Sequence, residues 1–258
     1  MTAASTQLMV LSAILLALCF AGLYWFLRND LAEYAAFKKL TETADRQKRF
    51  RVWILRSFFL FFCGTLVCLA VLGRLQAPFV FPSEFQSLAT RLHSWVPGAQ
   101  THSTRDVVPF VIGAAGGVSI GVLLAVLLAR RSKSARVGDI EALMPRNRAE
   151  TAWMALISLN AGLSEELFFR LLLPLLLTLI FRSALASFLI AAGIFGLVHL
   201  YQRLAGILGT TVLGLALTAV YLATGALWIA MIVHALLDLM GVVVRPNLER
   251  LLRPAARS

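Results

Sequence analysis

Charge is the scarcest thing in this sequence. Of 258 residues, 14% are Asp, Glu, Lys or Arg, where a soluble domain carries about 25%. With 59% hydrophobic residues and a mean hydropathy of +0.81, the deficit excludes an ordinary soluble domain. It points to an integral membrane protein with one membrane domain and no room for a second large one. Cysteine is nearly absent: Cys19, Cys63 and Cys68 all lie in apolar runs. Their odd number and lack of metal-ligand spacing leave them as small core residues. Residues 1–27 have no basic segment ahead of the apolar run, so that run is expected to be a retained anchor, not a cleaved signal.

The formal net charge of +11 could be taken for nucleic-acid binding. Its distribution argues otherwise, because the basic residues gather in short loops between apolar runs and no aromatic-interleaved basic surface accompanies them. Residues 28–56 carry eight Lys/Arg against four acids, and residues 130–150 six against three. Residues 74–106 carry only three Arg against two acids, with Pro78, Pro82, Pro97 and Gly98 as breakers, and read as an outer loop. Residues 31–53 read as an interfacial amphipathic helix. A span needs about 20 apolar residues. Candidates lie at about 7–27, 57–73, 107–129, 151–181, 184–200, 204–224 and 226–244. The third has Gly113, Gly117 and Gly121 on one face, a packing stripe. The fourth is long for one straight span and is expected to break, or to begin with an interfacial piece.

The expected fold is therefore all-α, a polytopic membrane helix bundle of about seven transmembrane helices. The positive-inside rule puts the amino terminus outside and the basic tail, residues 245–258, in the cytoplasm. The bilayer is the one partner this composition requires; nucleic acid is not expected.

Few ionisable side chains fall inside these spans: Glu165, Glu166, Arg170, His199, His234 and Asp238. Each costs at least about 2.5 kcal/mol near the bilayer centre by insertion scales, yet all six sit in the last helices. Glu166 and Arg170 are an i, i+4 pair with the acid first, able to neutralise each other. Glu165 is rotated about 100° away, without a local cation, in the position of a general base. His234 and Asp238 form a second i, i+4 pair. His199 follows Phe195 by four residues, so the two rings share a face. Singly, each signal has a plain structural explanation: a Glu–Arg clamp, a satisfied histidine at a helix end, a helix–helix hydrogen bond. Together they suit hydrolysis, with a carboxylate activating water and imidazoles stabilising an oxyanion or binding a metal.

"EELFFR" (165–170), "FGLVH" (195–199) and "HALLD" (234–238) resemble, in this order, the EExxxR, FxxxH and HxxxN/D motifs of the CPBP family. These are the CAAX-protease and bacteriocin-processing membrane proteins, and they include the type II CAAX prenyl endopeptidase. The resemblance covers about residues 151–244. It implies a catalytic core there, with residues 1–150 as an amino-terminal membrane region of about three spans. It further implies an intramembrane endopeptidase in which Glu165 activates water and His199 and His234 surround the oxyanion. Asp238 stands where Asn is often found, and Glu166, Arg170 and Phe195 support the site. A metal-free glutamate mechanism and a divalent metal such as zinc both remain open. Other intramembrane chemistries lack their residues: there is no HExxH, no second intramembrane Asp, and Ser164 is not in a GxSG setting.

The implied substrate is a membrane protein or lipidated peptide. A non-proteolytic scaffold or immunity protein is the alternative. A proton-coupled transporter fits less well, because the hydropathy shows no inverted repeat. The Arg-rich, Lys-poor loops point to a bacterial inner membrane.

Overall fold

The computed structural model describes residues 3–95 and 140–247. The expected third span, its glycine stripe, His102 and most of the basic tail lie outside the described residues. Every regular element among the described residues is helical, as the sequence predicts.

Helix α1 (Ala3–Leu27) is unbroken and carries no charged side chain. A short α2 (Asp30–Phe37) follows, with Asp30 and Glu33 in its first turn, where negative charge suits the helix dipole. The chain then turns and enters α3 (Thr43–Ser57). The single amphipathic helix expected over 31–53 is thus two helices. The break lets Tyr34 and Phe37 of α2 and Phe50 of α3 reach one cluster with Met154, which a straight rod could not do. A π-helical turn, Phe58–Cys63, joins α3 to α4 (Gly64–Val71), so this span begins well before residue 57.

The expected outer loop contains α5 (Gln86–Trp95). Phe85 and Ala89 are buried, with Leu88 and Leu92 packed beside them, an apolar stripe at helical spacing. Phe85 meets Phe188 and Tyr221. His93 Nε2 lies 3.0 Å from the Ala223 carbonyl, one of the last carbonyls of the helix that ends at Thr224.

Residues 148–181 run continuously: α6 (Arg148–Glu166), a π-helical turn (Leu167–Leu172), then α7 (Leu173–Phe181). The expected break is a widening. Pro174 has no N–H for the Arg170 carbonyl and its ring would clash with it, and the helix expands in the turn just before. The same arrangement recurs where α10 (Leu227–Asp238) passes into a π-helical turn, Leu239–Val244, ahead of Pro246. Between these, Arg182 in the left-handed region and Ser183, accepting from the Ala186 N–H, make the tight turn into α8 (Ala184–Leu197). Helix α9 (Arg203–Thr224) completes the set.

The 148–181 helix is the hub. Its α6 half packs against α3 and α10, and its α7 half against α1 and α8. Leu171, Leu172, Leu173, Leu175 and Leu176 are completely buried. Lipid offers helices no hydrophobic drive to associate, so close approach through small residues matters. Gly162 supplies it at the α6–α10 crossing, where a Cβ would lie 2.7 Å from the Met231 carbonyl oxygen and 2.8 Å from the Ala235 nitrogen.

Four helical segments, Ser5–Phe37, Thr43–Val71, Leu200–Thr224 and Leu227–Asn247, are long and apolar enough to cross a membrane. Ala184–Leu197 is apolar but shorter, and the hub carries the three charges of the first motif. The protein is a polytopic membrane helix bundle; the count of seven rests on the sequence.

Candidate active site

The first motif straddles the end of α6 and the π-helical turn, and its two carboxylates diverge. Glu166 is fully buried. Its Oε1 accepts from His234 Nδ1 at 2.7 Å and lies 3.0 Å from Arg170 Nη1. Neither terminal nitrogen of Arg170 is aligned for a hydrogen bond with a described residue, so this is a close charge contact, not a bidentate pair. The guanidinium instead lies over the Phe195 ring, 4.1 Å from its centroid, a cation–π contact strengthened by burial. Gly214 of α9 leaves room for it: a Cβ there would come within 3.0 Å of Phe195 and 3.5 Å of Arg170 Nη2.

Glu165 faces the other way, into a cavity of about 150 Å³ that His199 also lines. Its Oε2 is buried without a hydrogen-bond partner among the described residues. His199 sits just past α8, with Nδ1 2.8 Å from the Phe195 carbonyl. A carbonyl only accepts, so Nδ1 carries the proton and Nε2 keeps a lone pair in the neutral ring. The helix-end role of His199 and its place on the cavity are compatible, since the ring has two nitrogens.

His234 is a member of the buried network and not of the described cavity lining. Its Nε2 is 3.8 Å from Asp238 Oδ2, beyond hydrogen-bond reach. The Asp238 side chain is 36% exposed, at the edge of the site. Phe195 connects the two halves, its ring 4.9 Å from His199 and 5.9 Å from His234. The structure thus brings all seven expected residues together, as a cavity pair (Glu165, His199) backed by a buried network (Glu166, Arg170, His234, Phe195) with Asp238 at its rim. Glu165, His199 and Asp30 all line the cavity, but lining one cavity is not the converging set of three protein ligands that a catalytic zinc needs. Among the described residues no three His, Cys, Asp or Glu side chains group as a metal ion requires.

Sequence reasoning missed the rest of the cavity wall. Asp30 and Tyr34 of α2, Trp53 and Ser57 of α3, Asn160 of α6 and Tyr201 line it. Asn160 donates to Ser57 Oγ at 2.7 Å. It could have been found, because Met154, Ile157, Ala161 and Glu165 mark its helix face by spacing. No local pattern announces the α2 and α3 residues.

An all-helical membrane protein with a carboxylate and an imidazole on one inner cavity, backed by a buried ionic network, has the outline of an intramembrane hydrolase. Residues 147–240 match the family described as type II CAAX prenyl endopeptidase Rce1-like. That stretch contains all three motifs. No curated protein and no solved structure matches the chain.

Proposed function

We propose that the protein is an intramembrane endopeptidase that hydrolyses a peptide bond near the membrane face of a membrane-associated or lipid-modified protein. The observation that carries this reading is the shared cavity of Glu165 and His199, with a carboxylate oxygen that no described group engages. A water held between Glu165 and His199 Nε2 loses a proton to Glu165 as its oxygen attacks the scissile carbonyl. The carbonyl oxygen takes up negative charge, which His234 offsets in this reading as the imidazolium, its Nδ1–H donating to Glu166 and its Nε2–H left for the oxyanion. Collapse of the tetrahedral intermediate breaks the C–N bond, and the proton on Glu165 passes to the departing amine. Glu166, Arg170 and Phe195 hold the two imidazoles. Asp238, 3.8 Å from His234 Nε2 at the rim, adds negative charge beside that ring without a hydrogen bond to it.

In this reading residues 151–244 carry the chemistry, residues 1–150 are an amino-terminal membrane region whose Asp30, Tyr34, Trp53 and Ser57 line the cavity, and residues 245–258 form a basic tail. The positive-inside rule supports an outer amino terminus and a cytoplasmic carboxyl terminus. The Arg-rich loops favour a bacterial inner membrane.

The test compares membranes from cells making wild type or Glu165→Gln at matched levels, with new protein termini mapped by mass spectrometry. Termini present only with the wild type are expected. Identical maps from folded proteins would overturn the endopeptidase reading and leave a non-proteolytic scaffold or immunity protein in its place.

A further inference from the structure

The cavity carries a second carboxylate, and nothing in the hydrolytic chemistry uses it. Asp30 lines the wall contributed by α2, and its Oδ2, like Glu165 Oε2, is buried without a hydrogen-bond partner among the described residues. A first-turn aspartate is ordinarily explained by the helix dipole or by a bond to a free N–H, and this oxygen makes no such bond. On the facing helix, Arg56 is committed to Glu33 at 2.7 Å, and Trp53 Nε1 donates to the same glutamate at 3.4 Å. No Lys or Arg is among the described residues lining the cavity, in a protein whose formal net charge is +11. The charge of this space is opposite to that of the whole chain.

Its walls are aromatic. Tyr34 stands four residues from Asp30 on the same face of α2, and Trp53 and Tyr201 line the cavity with it. Tyr34 and Tyr201 rings are 5.1 Å apart. Carboxylates and aromatic faces together form the usual surroundings of an organic cation. The neighbourhood already uses that chemistry for its own residues: Lys38 lies 4.8 Å from the Tyr34 centroid and Arg46 4.3 Å from that of Phe37. Neither cation lines the cavity.

We propose that this cavity binds an ammonium or guanidinium group, with Asp30 as the residue that selects it, so that the peptide bond presented to Glu165 lies near a basic residue of the substrate. The assignment rests on the endopeptidase reading for its source, a substrate side chain, and on the cavity alone for its chemistry. A lipid headgroup amine would bring the same group to the same place.

The binding test needs no cleavage. The full-length protein in phosphatidylglycerol nanodiscs is probed by saturation-transfer NMR with n-butylguanidinium, with n-pentanol as the neutral control. Loss of one charge-assisted contact predicts binding about tenfold or more weaker in Asp30→Asn. Recovery in Asp30→Glu and an unchanged pentanol signal in all three proteins are expected. Equal guanidinium binding by wild type and Asp30→Asn overturns the proposal, as does loss in both variants, which would make the negative charge irrelevant. Adding phosphatidylethanolamine separates the sources: suppression of the signal in the wild type alone identifies a headgroup ligand and overturns the substrate assignment. For a substrate side chain, Lys or Arg is enriched near the wild-type cleavage sites and that enrichment disappears with Asp30→Asn; persistence of the enrichment overturns it. Should wild type and Glu165→Gln give identical termini, the endopeptidase reading fails, and the NMR comparison still decides whether the cavity takes a cation.

Discussion

At the scale of single residues, Glu165 and Glu166 are neighbours with different surroundings because an α-helix turns about 100° per residue. One meets Arg170 and His234; the other meets only the cavity. Their amides should therefore fail differently. Glu166→Gln leaves the Arg170 charge buried without its counter-ion, a change that costs about 3–5 kcal/mol. Glu165→Gln removes no ion-pair partner, so its stability should stay within about 1 kcal/mol of wild type while cleavage is lost. Denaturant unfolding in detergent checks this pair beside the termini map. Equal destabilisation by the two amides would show that Glu165 is structural too.

At the scale of helices, the meeting of Glu166 with His234 depends on how closely α6 and α10 cross at Gly162. A methyl group there meets backbone atoms at 2.7 and 2.8 Å, which cannot swing aside as a side chain would. Gly162→Ala is expected to cost about 1–3 kcal/mol by overpacking and to lower cleavage by displacing His234. Gly193, on α8, has nothing within 4 Å of the place a methyl group would take, and Gly193→Ala should instead gain up to about 1 kcal/mol of helix propensity. Thermal unfolding of both variants in one detergent reads the contrast, and a neutral Gly162→Ala would mean the crossing is not tight. These contacts also mark what the sequence makes legible. Long apolar runs place α1, α9 and α10 to within a few residues, and i, i+4 spacing predicts the Glu166–Arg170 contact. The i, i+4 spacing also pairs His234 with Asp238, but the closer partner of His234 is Glu166, on another helix. Helix α5 was hidden because prolines and few apolar residues gave its segment the look of a loop, although Phe85, Leu88, Ala89 and Leu92 carry the period. The α2 and α3 wall facing Glu165 was not legible: Ser57 and its partner Asn160 are 103 positions apart, and no periodicity reaches across that distance.

At the scale of the whole molecule, the wall and the motif-bearing helices must be held together. Arg46 of α3 and Glu150 of α6 form an ion pair at 3.0 Å with both side chains fully buried. Arg46 also donates to the carbonyls of Ala142 at 3.0 Å and Met144 at 3.4 Å, and the second Glu150 oxygen accepts from the Arg146 N–H at 2.9 Å. This clasp fixes the segment entering α6 against the helix that carries Trp53 and Ser57 to the cavity. Arg46→Met should cost about 3–5 kcal/mol by leaving Glu150 buried and alone, and Glu150→Gln a similar amount for the converse reason. The double variant leaves no orphaned charge, so it should fall short of the sum by about 0.5–3 kcal/mol. Cleavage should follow stability in this set, even though neither residue lines the cavity, because a loosened clasp lets the α3 wall drift from Glu165. Strict additivity in denaturant unfolding would mean that the two charges act separately. Full cleavage by a destabilised Arg46→Met protein would mean that the wall is held by its aromatic cluster of Phe37, Phe50 and Trp53 rather than by the ion pair.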